Sequence, residues 1–252
     1  MRGTLIAMLA CIVGAAPAPA QAPSAAELAD ITRRGRDLAA YDVAISGAQD
    51  ALNRRGVAVD AAMRYVVRRE PRGFVVRFGH WGATRDTFFV SHEATQRNGP
   101  EDFGADAFVP EQIASDAERA DVKAVELTGR ELGRRSRPYR NIVVPAAGGT
   151  RWVYWLPAQT RLGVWTLGDD VRYLVSADGG RIVDRRVLHR ALTETVLPLG
   201  AEYGSHTSST GVPEDSDVMQ VLLRRPAVPE IISGGGRIYY LTVDGTIVVG
   251  TQ

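Results

Sequence analysis

The chain's one cysteine, Cys11, lies inside an apolar run near its start, so whatever folds after that run must fold without a thiol. Met1-Arg2, the stretch Leu5-Ile6-Ala7-Met8-Leu9-Ala10-Cys11-Ile12-Val13 and the Ala/Pro-rich residues that follow have the layout of a secretion signal. Ala18-Pro19-Ala20 supplies an A-x-A site, which predicts cleavage after Ala20; a cut after Ala22 would leave Pro23 at the new N-terminus. As a lipidation site Cys11 is a poor match, because Met8-Leu9-Ala10 precedes it. The mature protein is therefore expected to be periplasmic or secreted. That compartment is oxidising, yet this chain could form no disulfide there and hold no thiolate-bound metal.

Its stability has to come from an apolar core. With 252 residues, 45% hydrophobic and 23% charged, the chain can build one domain or two small ones. A bilayer span needs about 20 apolar residues, which the leader does not reach and nothing later matches, so no transmembrane segment is expected. A net charge of +1 gives no global field to attract nucleic acid, which leaves a protein or peptide ligand found by local shape as the expected partner.

Residues 23–53 carry a helical pattern, with Ile31, Leu38, Ile45 and Leu52 seven apart and Tyr41 and Ala48 between them on one seam. Ser24 and Glu27 have the spacing of a capping box at its start. Such a seam can dock on its own domain or mediate self-association through helix 24–53. A second helix is expected over 59–69, then a β-hairpin from 73–78 and 87–91, a loop over 97–109, and a third helix opened by Pro110. Beyond Pro138 the pattern turns to short strands, with Asp178-Gly179 as a hairpin turn, a short helix over 215–223 and a closing hairpin about Asp244-Gly245. Helices first and strands mostly later predict an α+β fold with a largely antiparallel sheet. The expected division is a signal over 1–20, an N-terminal α+β region over 21–135 and a β-rich region over 136–252.

The four histidines are His80, His92, His189 and His206. His92-Glu93-Ala94-Thr95-Gln96 begins like H-E-x-x-H, but Gln96 stands at the fifth position and the segment reads as a strand, on which positions four apart are about 13 Å apart. His80, His92 and His189 are read as ordinary surface or strand-end residues.

The stretch Tyr203-Gly204-Ser205-His206-Thr207-Ser208-Ser209-Thr210-Gly211-Val212-Pro213-Glu214-Asp215-Ser216-Asp217 is different. With the helix, strand and hairpin after it, it resembles the JAMM (JAB/MPN) metalloprotease family, whose signature is His-Ser/Thr-His-Pro, a short loop, then Pro-Ser-x-x-Asp opening a helix. The resemblance implies His206 and Asp217 as metal ligands and Pro213 as the family's proline. Ser208 stands where the second histidine would be, Ser209 replaces the next proline, and Glu214 replaces the serine. The family's general base is an upstream glutamate, for which Glu194 and Glu202 are candidates by proximity; Glu214 or Asp215 could stand in for the lost ligand. Read without the family, the same residues are a polar loop that caps the following helix.

A serine hydroxyl is a feeble zinc ligand, so the expectation is a JAMM-like core that outlived its chemistry, with no cofactor and a binding or scaffolding role. The alternatives are a zinc-dependent peptidase or isopeptidase, and a self-associating structural protein of the envelope.

Overall fold

A computed structural model describes residues 22–250 except 60–62, 162, 197 and 199; the expected signal lies outside the described residues. The first helix, α1 (Ala25–Arg54), begins as its sequence requires. Ser24 Oγ accepts from the Glu27 amide at 3.2 Å and the Glu27 carboxylate accepts from the Ser24 amide at 2.6 Å, closing the capping box. A four-stranded antiparallel meander follows, β1 (Arg64–Glu70), β2 (Gly73–Trp81), β3 (Phe88–Gln96) and β4 (Phe103–Ile113). Next come α2 (Asp116–Leu132), β5 (Tyr139–Pro145), β6 (Arg151–Pro157), β7 (Trp165–Leu167), β8 (Val171–Val175), β9 (Ile182–Val187) and β10 (Thr193–Thr195). Strands β5-β6-β8-β9 form a second antiparallel sheet and β7 pairs with β10. The chain closes with β11 (Gly204–Thr207), α3 (Asp215–Leu223), β12 (Glu230–Gly234), β13 (Arg237–Leu241) and β14 (Ile247–Val249). In that last sheet β11 runs parallel to β12, because α3 carries the chain back to the same end before β12 starts. The class is α+β.

Two expectations fail in the N-terminal part. Residues 64–69, expected as helix, lie in β1, which pairs with β2 from Arg64↔Gly79 to Glu70↔Gly73. The cluster Tyr65-Val66-Val67 has the bulky, β-branched character of a strand, and the Pro71-Arg72-Gly73 turn after it serves a hairpin as well as a helix stop. The expected loop over 97–109 contains most of β4, whose Phe103 and Ala105 are buried while Asp106 and Glu111 face water. Pro110 lies inside that strand, and α2 opens at Ser115, whose hydroxyl and Glu118 complete a second capping box.

Every residue of the α1 seam is buried within the chain: Ile31 at 7%, Leu38 at 0%, Ile45 at 6% and Leu52 at 0% exposure. Leu38, Ile45 and Leu52 pack in one cluster with Val76 and Phe78 of the first sheet, Ile142, Val144 and Tyr154 of the second, and Met219 of α3. The seam is therefore covered by the chain's own sheets and by α3, and is not a free surface for self-association. One cluster thus draws residues from both sides of position 135. Among the described residues no helix is long and apolar enough to cross a membrane.

Two close approaches position the site. A Cβ on Gly35 of α1 would lie 2.4 Å from Val218 Cβ and 2.7 Å from the Asp215 carbonyl, so glycine there lets the start of α3 press against α1. Leu28 and Ile31 of α1 then pack with Val218 and Val221 of α3 and with Ile232, Tyr239 and Leu241 of the last sheet. A Cβ on Gly204 would lie 2.1 Å from Glu230 Oε2, so glycine there leaves room for a carboxylate between β11 and β12.

Candidate metal centre

Asp217 sits in the first turn of α3 and is fully buried. Its Oδ2 accepts from the Glu214 amide at 2.8 Å, one of the free N–H groups at a helix start. That bond fixes the carboxylate and turns Oδ1 towards β11. There Oδ1 lies 3.2 Å from Nε2 of His206 and 3.1 Å from Nε2 of His189. His189 follows β9 and is 5% exposed. The three ligand atoms lie within 4.8 Å of one another, and among the described residues no other histidine or carboxylate joins them.

The contacts have the length of hydrogen bonds but not the direction: Nε2 of both histidines and Oδ1 of Asp217 are buried with no hydrogen-bond partner. Three unpartnered lone pairs in one buried place are costly unless something they all bind sits between them. Zinc–nitrogen and zinc–oxygen bonds of about 2.0–2.2 Å at tetrahedral angles put neighbouring ligand atoms roughly 3.4 Å apart, within a few tenths of an ångström of the two separations from Asp217 Oδ1.

Each ring is presented by a carboxylate behind it. Asp170 Oδ1 lies 2.9 Å from His189 Nδ1, and Glu230 Oε1 lies 2.9 Å from His206 Nδ1. A carboxylate only accepts, so each Nδ1 carries a hydrogen, and each Nε2 is aimed at the centre, where it holds either a second proton or, once deprotonated, a metal ion. Glu230 is itself held, its Oε2 accepting from Arg224 Nη1 at 2.6 Å. With both imidazoles neutral, Asp170, Asp217 and Glu230 against Arg224 leave two negative charges, all nearly buried, which two ring protons balance in the absence of metal. A divalent cation cancels that charge.

The electrostatics point the same way. Burial works to lower the His189 pKa, but Asp217, helped by Asp170, outweighs it and lifts the ring to about 11. For His206 burial is again outweighed, by Asp217 and Glu230, and its pKa rises to about 9. Burial would raise Asp217, yet the two imidazoles hold its carboxyl well below the ordinary range. The site stabilises positive charge, and protons and a metal ion compete for the same lone pairs.

No family model, curated protein or solved structure matches this chain.

The sequence reading placed His206 and Asp217 together, as the fold does, and took His189 for an ordinary strand-end residue; its burial and its contact with Asp217 correct that. Ser208, at the position of the family's second histidine, is occupied elsewhere: its hydroxyl donates to the Val212 carbonyl at 2.6 Å and lies 3.0 Å from Thr210 Oγ1, shaping the loop. The other candidates are not brought to the centre as ligands. Glu214 is the N-cap residue of α3, buried, and accepts from Arg186 Nη2 at 2.6 Å. Asp215 accepts from Arg34 Nε at 3.0 Å and Tyr154 Oη at 2.9 Å and pairs with Arg172. Glu194 lies on β10 and is bound by Arg137 and Arg161 at 3.1 and 2.8 Å. Glu202 is exposed. His80 pairs with Glu111 at the surface and His92 with Ser91, both on the first sheet. Nothing local marks His189 as a ligand, since it follows an ordinary strand and its partners come from other elements.

Proposed function

We propose that the mature chain is an exported metal-binding protein on a degenerate JAMM-like core, with His189, His206 and Asp217 holding a zinc-type divalent cation. Its role is to bind or scaffold a protein or peptide partner. The observation that carries the reading is the meeting of two unpartnered Nε2 atoms and one unpartnered Oδ1. In this reading the position lost at Ser208 is made good by His189 from a different strand end, so the ligand shortage that the sequence implies is repaired. The binding role is supported by the state of the neighbouring carboxylates. Asp170 and Glu230 are committed to imidazoles, and Glu214 and Asp215 to arginines, so each is engaged rather than free to take a proton from water.

A zinc-dependent peptidase or isopeptidase is the second reading, favoured by the ligand count. Three protein ligands leave one coordination position for water, as in catalytic zinc sites, whereas structural sites usually have four protein ligands. Bound there, zinc would acidify that water and polarise a carbonyl.

Elemental analysis of the exported protein after dialysis tests the first reading. We expect about one zinc per chain, lost in His189→Ala and kept in Ser208→Ala, on a chain whose N-terminal mass begins at Gln21. No retained metal in the wild-type protein would falsify it. Cleavage of peptide or isopeptide substrates that disappears in His206→Ala replaces it with the hydrolase.

A further inference from the structure

Helix α2 lies across both large antiparallel sheets. Its Val122 packs with Val66 and Val90 of the first sheet, and its Ala124 and Val125 with Val153 and Tyr173 of the second. Beneath it, between the end strands β1 and β5, is a cleft of about 570 Å³. Strand register fixes which side chains line it. Asn141 is paired with Trp155 across β5 and β6 and Tyr139 is two positions from Asn141, so the three share the sheet face that α2 covers. A Cβ on Gly129 would lie 3.1 Å from Trp155 Cζ2, so glycine there seats the indole against the helix. Three aromatic rings line the cleft, and their polar tips are bonded elsewhere. Tyr65 Oη donates to the Asn141 carbonyl at 2.5 Å, Tyr139 Oη to the Asp169 carbonyl at 2.9 Å and Trp155 Nε1 to Thr128 Oγ1 at 2.9 Å. What these walls offer an occupant is carbon. The charge is not balanced: Arg64, Arg85 and Arg130 line the cleft, and Glu126 is the acidic residue among its lining. Glu126 Oε1 already accepts from Trp81 Nε1 at 2.9 Å and Arg85 Nη2 at 2.7 Å and lies 3.9 Å from Arg64 Nε. Arg130 is exposed, and neither its guanidinium nor the side-chain amide of Asn141 has a partner among the described residues.

We propose that this cleft binds a small organic anion, its negative head held by Arg130 and the Asn141 amide with Arg85 beside them, and its apolar body laid against Tyr139, Trp155 and Val125. Guanidinium forks and an amide N–H are the donors that carboxylate and phosphate oxygens accept from, and three cations facing one carboxylate leave positive charge for such a head to neutralise. The volume falls in the range of about 300–1,000 Å³ typical of small-molecule sites, which pair apolar walls with a few placed polar groups. A cation is repelled by the arginines, and a bare inorganic anion leaves the carbon walls uncovered. A carboxylate and a phosphate monoester share this chemistry. The cleft includes no residue of the metal centre, and its ligand is separate from the protein or peptide partner of the proposed function.

The test is a titration of the exported protein followed by amide NMR shifts at residues 130 and 141. The probes are naphthalene-2-carboxylate and 2-naphthyl phosphate, with neutral naphthalene-2-carboxamide and inorganic phosphate as controls for the head and the body. We expect saturable shifts with one or both naphthyl anions, and binding about tenfold weaker for each control. Saturation by the carboxylate alone assigns the site to organic acids, by the phosphate alone to phosphate monoesters, and by both to either head. Arg130→Gln and Asn141→Ala remove no core side chain, and each is expected to weaken the naphthyl anion about tenfold. Equal affinity for the carboxamide, equal affinity for inorganic phosphate, unchanged binding in both variants, or no saturation with either naphthyl anion overturns the proposal. Zinc content, read separately, reports on the metal centre whatever the result at the cleft.

Discussion

Asp170 grips His189 twice, its Oδ1 accepting the backbone N–H at 3.0 Å and lying 2.9 Å from the ring Nδ1. The same oxygen thus fixes both where the histidine is and which of its nitrogens is free.

Carboxylates placed this way orient a ligand and raise its basicity, and their loss typically weakens a metal site about 10–100-fold. Asp170→Asn and Glu230→Gln are each expected to lower zinc affinity within that range while the ligands stay in place. Competition against a chromophoric chelator measures it, and wild-type affinity in both variants would show that the carboxylates do not support the rings.

Gly35→Ala tests the approach of α1 and α3. Alanine favours a helix by up to about 1 kcal/mol over glycine, but here its Cβ would sit 2.4 Å from Val218 Cβ. Overpacking of about 1–3 kcal/mol is expected to outweigh the propensity gain. Urea denaturation reads the sign directly: a stabilised variant means that the helices move apart easily.

Leu38 lies at the centre of the α1 seam with 0% exposure. Leu38→Ala is expected to cost about 2–5 kcal/mol of folding stability. Because the seam packs inside the chain, sedimentation of the folded variant should match the parent, and a changed oligomeric state at equal foldedness would contradict this packing.

Asp121 gives a stability slope with a definite sign. Burial dominates and lifts its carboxyl to about 6, although Arg151 Nε donates to it at 2.7 Å. The unfolded value is about 3.9. Between about 3.9 and about 6 the folded protein holds a proton that the unfolded chain has released, so this group's contribution falls as pH rises through that window and is flat above it. Asp121→Asn should remove the slope. Denaturation midpoints from pH 4 to pH 7 measure it, and an identical slope in the variant assigns the effect to other groups.

Where the sequence states a local cause, the fold obeys it. Ser24 and Glu27 close the box that starts α1, β6 spans residues 151–157, and α3 spans 215–223, all as read from the chain. The first sheet was harder to read. Val66 and Val67 suit a helix face as readily as a strand, and what makes β1 a strand is its pairing with Phe74 to Gly79. Residues 103–109 looked like loop because only one face of β4 is apolar, and that face is defined by α1 above it.

The sequence by itself determined the α+β class, because capping and alternation act between near neighbours, and its resemblance to the JAMM family implied His206 beside Asp217. Only the tertiary structure decided that His189 completes the centre. Its partners Asp170, His206 and Asp217 lie 17 to 28 positions away, on β11, on α3 and in the turn before β8. No local rule links them, and they meet because Gly35 lets α3 press against α1 while the second sheet carries β9 to the same place.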